Sequence, residues 1–137
     1  MGDAKKILTI DGGGLRGVFA ATIIEQMEKA VGKPAGEIFD CFYGTSTGAI
    51  LAAGLASGMS AGELKQFYLE KGAKVFEKLP WYRIIKRNLY WTYSKKSLEE
   101  ELKRVFKSRK IFDLQKLISI QTKDTQTGTV AFFNNFP

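Results

Sequence analysis

The chain has 137 residues, a net charge of +7, 45% hydrophobic and 26% charged residues, a single cysteine and no histidine. That length accommodates one domain, folding away roughly two-thirds of the surface that the unfolded chain exposes. Cys41 alone excludes an intrachain disulfide, and no apolar run approaches the ~20 residues that a membrane span needs. Met1 to Lys6 carry no apolar stretch behind their charges, so no secretory signal is expected and a cytoplasmic location, with peripheral contact to membranes, is the expectation. The positive charge suits an anionic partner: nucleic acid, a membrane surface or an acidic substrate.

Along the chain, Ile7-Leu8-Thr9-Ile10 is a β-branched apolar run that reads as a buried strand. Phe19, Ile23, Met27 and Val31 recur at four-residue steps and predict the inward face of an amphipathic helix, with Thr22, Glu25, Gln26 and Lys29 outward. Gly32 and Pro34 stop it. A second strand is expected over Phe39 to Tyr43, with Cys41 as a buried, inert thiol. Ala49 to Ala53 is small and apolar enough for a helix buried on most sides. Ser60 and Glu63 have capping-box spacing at a further helix with Leu64, Phe67, Tyr68 and Val75 inward. Ser97 starts another in the same way, with Leu98, Leu102, Val105 and Phe106 inward and Glu99–Lys103 and Glu100–Arg104 one turn apart. Leu117 to Thr122 and Val130 to Phe133 read as strands, joined through a turn at Thr127-Gly128. Strands alternating with helices imply an α/β fold, a largely parallel sheet with helices on its faces. No internal domain boundary is visible.

Asp11-Gly12-Gly13-Gly14-Leu15-Arg16-Gly17 joins the first strand to the first helix. The spacing Gly12-x-Gly14-x-x-Gly17 matches a dinucleotide fingerprint, so a Rossmann-like domain binding NAD or FAD is a competing reading. That reading wants an acidic residue at the end of a second strand about 20 positions on. The region from Gly32 to Gly36 is instead a turn, and the nearest candidate, Asp40, lies inside the next strand. The loop's N–H groups at a helix start suit a developing oxyanion as well as a pyrophosphate. A ligand-free tight turn is the bland alternative, and three consecutive glycines with an arginine weigh against it.

Gly44-Thr45-Ser46-Thr47-Gly48 also lies between a strand and a helix. Glycines two residues either side of Ser46 permit a sharp elbow that holds its hydroxyl clear of the sheet. The N–H of Thr47 joins those of Gly13 and Gly14 as an expected oxyanion hole. A Ser/Thr-rich helix cap would also produce such a string, but the pairing with the glycine loop favours a nucleophile.

These two blocks, with their spacing, resemble the patatin-like phospholipase family, and weaker similarity through Tyr93 to Phe106 and Ile118 to Phe133 extends the resemblance over essentially the whole chain. The resemblance implies a three-layer α/β sandwich, incomplete here, with a central mostly parallel sheet and helices on both faces. It implies a lipid acyl hydrolase of phospholipase A or lysophospholipase type. Such enzymes use a Ser-Asp dyad without histidine and need no metal or organic cofactor. Ser46 corresponds to the nucleophile, and Gly12, Gly13, Gly14 and Arg16 to the oxyanion region. The family's aspartate belongs to a later Asp-Gly-Gly or Asp-Gly-Ala motif. Asp11-Gly12-Gly13 has that text but already forms the oxyanion loop, and Asp113 and Asp124 lack it. Residues 1–137 are therefore expected to be the N-terminal portion of one such domain, hydrolysing little alone. A short form that binds lipid or protein without catalysis is the alternative.

Residues 78–96 hold Lys78, Arg83, Lys86, Arg87, Lys95 and Lys96 with no acidic residue, interleaved with Trp81, Tyr82, Tyr90, Trp91 and Tyr93. This composition suits contact with an anionic membrane. It equally suits a segment whose aromatics pack inward while its cations are solvated. No nucleic-acid motif accompanies it, and nucleic acid is not an expected partner. Apolar sheet edges are expected to favour self-association.

Overall fold

A computed structural model describes residues 4–75 and 95–137. The first strand, β1 (Ile7–Ile10), leads through a 3-10 turn (Gly14–Arg16) into helix α1 (Gly17–Val31), and a short helix α2 (Ala35–Ile38) precedes β2 (Cys41–Thr45). Two helices follow at once, α3 (Thr47–Ala56) and α4 (Ala61–Val75), and α5 is Lys95–Phe106. The last elements are a 3-10 turn (Ile111–Asp113), β3 (Leu117–Lys123) and β4 (Val130–Asn134).

Among the described residues four strands form one sheet in the order β1-β2-β3-β4. The first two pairings are parallel, aligning Ile10 with Gly44 and Gly44 with Ile120. The last is an antiparallel hairpin aligning Lys123 with Val130. Right-handed crossovers between strands added in one direction deliver their helices to a single face. Accordingly one continuous core unites Ile10, Phe42 and Ile118 of the sheet with Ala21 and Ile24 of α1, Leu51 and Leu55 of α3, and Leu64 and Tyr68 of α4. Among the described residues, those alternating onto the opposite face stay outside this core, Ile7 and Leu117 being 59% and 41% exposed. Ile7 on one edge strand and Val130, Phe132 and Phe133 on the other are exposed apolar residues.

Helix α1 is rotated from its expected orientation, and of the expected inward stripe only Met27 packs against the core. Phe19, Ile23 and Val31 are 66%, 70% and 53% exposed, and the buried side is Gly17, Ala21 and Ile24. Small residues let α1 approach α4 closely: a Cβ on Gly17 would stand 2.9 Å from the Tyr68 ring. The rotation also turns Glu28 toward its neighbours. Its Oε1 accepts the Ala35 N–H at 2.8 Å and its Oε2 the Ala61 N–H at 3.0 Å. One carboxylate thus satisfies orphan donors at the starts of both α2 and α4, where helix dipoles favour negative charge. Gly32 ends α1 in the left-handed conformation (φ 71°).

The remaining local expectations fare unevenly. Ser60 and Glu63 form the capping box, the Glu63 N–H donating to Ser60 Oγ at 3.2 Å and the Ser60 N–H to Glu63 Oε2 at 2.8 Å. The Ser60 N–H, and after it the Ser60 hydroxyl donating to the same Oε2 at 2.9 Å, hold the Glu63 carboxyl below its ordinary value. The Glu99–Lys103 pair forms at 2.7 Å, whereas Arg104 reaches Glu101 at 3.1 Å, three residues away rather than four. α5 begins at Lys95, two residues before the expected Ser97 start. β2 runs two residues later than expected, from Cys41, because Ala35–Ile38 takes up a helical turn that the Gly32–Gly36 punctuation concealed. Cys41 is half-buried, and desolvation followed by the Asp40 charge raises its thiol. Residues 78–94 lie outside the described residues.

Glu28→Ala removes a cap from two helices, and at roughly 1 kcal/mol per cap the chain should lose about 2 kcal/mol. A urea midpoint unchanged from the parent chain would contradict this.

Candidate active site

Parallel strands deliver their carboxyl ends to one edge of the sheet, where open α/β folds bind ligands. The glycine loop leaves β1 there and Ser46 follows β2 there. Ser46 is exposed and adopts φ 53°, ψ −124°, a conformation rare for a residue with a side chain. Holding it costs about 1–3 kcal/mol, which the surrounding packing must offset. Immediately after it, Thr47 and Gly48 are buried as α3 begins.

Two close backbone approaches create this geometry. A Cβ on Gly48 would lie 2.1 Å from the Ile10 carbonyl oxygen, so the first turn of α3 crosses the end of β1 in contact with bare backbone. A Cβ on Gly12 would lie 2.6 Å from Ser46 Cβ, so the glycine loop rests on the elbow itself. Gly44 faces Gly48 just as closely, and a Cβ on it would fall 2.5 Å from the Gly48 carbonyl oxygen. The two expected motifs are thus one structure.

The individual residues of the expected oxyanion region occupy different positions. Gly14 lines a cavity together with Ser46 and Thr47. The Gly13 N–H donates to Thr47 Oγ1 at 3.0 Å. Arg16 is exposed in the 3-10 turn, where its N–H donates to the Gly13 carbonyl at 3.1 Å. Thr47 is 3% exposed, and the buried Tyr68 hydroxyl donates to its carbonyl at 2.9 Å. Thr47 N–H stands in the first turn of α3, where amides have no intrahelical acceptor. The Thr47–Gly13 and Thr47–Tyr68 contacts have no signature in local sequence, and sequence reading missed both.

The cavity measures about 480 Å³ and its lining is mostly apolar. Ala49, Ile50 and Ala53 of α3 form one wall, and Leu98, Leu102 and Phe106 of α5 form the other, with Ile120 of β3 beside them. The half-buried face predicted for α5 therefore lines this space. A cavity of such size, apolar along its walls and with Ser46 in its lining, is large enough for a small apolar ligand.

Three aspartates are committed elsewhere. Asp40 Oδ2 accepts the Lys6 N–H at 2.9 Å at the amino end of the sheet, far from the glycine loop. It cannot serve as the ribose acid of a dinucleotide site, which belongs at the carboxyl end of the second strand. Asp113 accepts the Lys110 N–H at 2.7 Å, and Asp124 accepts the Gln126 N–H and the Thr127 hydroxyl, each at 2.8 Å. Among the described residues no carboxylate is hydrogen-bonded to Ser46, and no cluster of ligating side chains could hold a metal ion. No described helix is long and apolar enough to cross a membrane.

The model of the family described as patatin-like phospholipase matches residues 8–137. A cGAMP-activated phospholipase of Pseudomonas aeruginosa is 34% identical over 132 residues, covering 93% of this chain and 38% of that protein. One from Vibrio cholerae is 32% identical over 143 residues, covering 93% of this chain and 40% of its own length. Phospholipase A I of Arabidopsis thaliana is 42% identical over 72 residues, 52% of this chain and 6% of that protein. The chain spans about two-fifths of the length of the bacterial relatives.

The strain at Ser46 has a measurable consequence. Ser46→Gly should unfold at higher urea than Ser46→Ala, by about 1 kcal/mol, reversing the usual cost of glycine. The opposite order would mean that the elbow is unstrained.

Proposed function

Because the chain belongs to the patatin-like phospholipase family, whose members are serine lipid acyl hydrolases, we propose that it supplies the nucleophile, the oxyanion loop and the acyl groove of a phospholipase A or lysophospholipase-type enzyme. The observation that carries this reading is Ser46, strained, exposed and lining an apolar cavity of about 480 Å³.

In this reading Ser46 Oγ attacks the carbonyl carbon of an acyl ester lying along the α3–α5 groove, and its proton passes to a carboxylate base. The carbonyl oxygen becomes an oxyanion, held by N–H groups of the glycine loop and of Thr47 at the start of α3, where the helix dipole adds to the attraction. Collapse breaks the bond to the alcohol oxygen, which takes up the proton and leaves the lyso product. Water, deprotonated by the same carboxylate, then attacks the acyl-serine, releasing the fatty acid and restoring the serine. The base is the aspartate of the family's dyad, supplied from outside residues 1–137, so this chain alone turns over esters poorly. Neither metal nor organic cofactor takes part. The basic aromatic residues of 78–96 contact anionic lipid, bringing the groove to its substrate.

The purified chain should hydrolyse a p-nitrophenyl acyl ester near the background rate; robust turnover abolished by Ser46→Ala would overturn the external base. Prolonged incubation with a long-chain fluorophosphonate should modify Ser46, detected by peptide mass spectrometry, and Ala53→Trp should slow the labelling several-fold by filling the groove. Labelling that is undiminished in a folded Ser46→Ala chain would contradict the nucleophile assignment. In sedimentation with vesicles, binding should favour anionic over zwitterionic lipid, and equal, negligible binding to both would remove the membrane contact.

A further inference from the structure

The expected hole makes three loop-and-elbow amides equivalent donors, yet one of them is already engaged. The Gly13 N–H donates to Thr47 Oγ1 at 3.0 Å. Thr47 is 3% exposed, and its carbonyl is held in turn by the Tyr68 hydroxyl at 2.9 Å. Burial raises the Tyr68 phenol well above its ordinary value, so it remains a protonated donor across the accessible pH range. The Tyr68 ring fits against Gly17, where a Cβ would approach to 2.9 Å. Gly14, next along the loop, borders the cavity at Ser46, and Gly13 does not.

We propose that Thr47 is a positioning residue whose side-chain hydroxyl latches the glycine loop to the elbow through Gly13, leaving the amides of Gly14 and Thr47 to face the oxyanion. This deepens the reading of Ser46 as the nucleophile and rests on it for its catalytic meaning. The latch itself is a hydrogen bond that can be read without catalysis. Its physical value is preorganisation. A loop of three glycines loses much backbone entropy when ordered, and a donor contributes to a transition state only if it is already aimed when charge develops. The hydroxyl of Thr47 supplies that order from α3, which is itself clamped between the sheet and Tyr68. A valine at this position keeps the shape and burial of threonine but has no acceptor, whereas a serine keeps the acceptor.

The test compares the parent chain, Thr47→Val and Thr47→Ser. Gly13 is solvent-exposed, so its amide should exchange rapidly with deuterium unless the latch is made. Site-resolved exchange by NMR should show Gly13 protected in the parent chain and in Thr47→Ser, and at least tenfold faster in Thr47→Val. Fluorophosphonate labelling of Ser46 should slow in Thr47→Val and recover in Thr47→Ser. Gly13 exchanging in the parent chain like an unprotected glycine overturns the latch outright, even if Thr47→Val fails to fold. Unchanged labelling in a folded Thr47→Val chain overturns its positioning role. Adducts mapping to residues other than Ser46 in all three chains, with Gly13 protected as expected, would reject the nucleophile reading and retain the latch.

Discussion

The contact on which the rest depends is between backbones: the first turn of α3 lies across the end of β1, with Gly48 against the Ile10 carbonyl oxygen. No side chain fits between them. Because α3 starts there, the chain leaving β2 must turn within one residue, and Ser46 takes the positive φ that this turn requires. The glycine loop leaving β1 then has nowhere to go except over the elbow, which is why Gly12 too must lack a side chain. Strain at Ser46 is thus a consequence of how closely one helix is seated, and it is tolerated because α3 is buried along nearly its whole length.

That seating is secured from the far side by α1 and α4. Tyr68 reaches from α4 to the Thr47 carbonyl, and Gly17 of α1 leaves room for its ring. Glu28 holds α4 to α1 by capping its first turn, while the Glu25 carboxylate accepts hydrogen bonds from Lys65 and Lys29, which hold it below its ordinary value. These polar contacts lie around an apolar core, and the Glu28 and Tyr68 bonds satisfy groups that helix geometry or burial would otherwise strand. On the other side of α3, Leu98, Leu102 and Phe106 of α5 border the cavity.

Local chemistry made much of this visible in advance. Gly-rich strings between a strand and a helix, β-branched runs, and a Ser-x-x-Glu box act through residues a few positions apart, so the four strands and the two loops were legible with shifts of a residue or two. The inward face of α1 was not. Its sequence offers two adjacent stripes, one of large apolar residues (Phe19, Ile23, Met27, Val31), of which only Met27 meets the core, and one of smaller ones ending at Ile24, and periodicity favours the larger. Close approach to Tyr68 and the capping duty of Glu28 select the smaller. Helix α2 was hidden for a similar reason: Pro34 and Gly36 read as a turn, while Pro34 in fact precedes a helix whose first amide Glu28 satisfies.

The sequence by itself made the Ser46 string, the glycine loop and the family legible, because each is written in residue types at short spacing. Only the tertiary structure decided that Gly12 lies on Ser46, that Gly13 is tied to Thr47, that Asp40 sits at the wrong end of the sheet for a dinucleotide, and that α3 and α5 enclose an apolar groove. Gly13 and Thr47 are 34 positions apart. Whether such a pair meets depends on strand order and helix rotation, and those are set by backbone approaches and buried polar partners that no stretch of sequence contains alone.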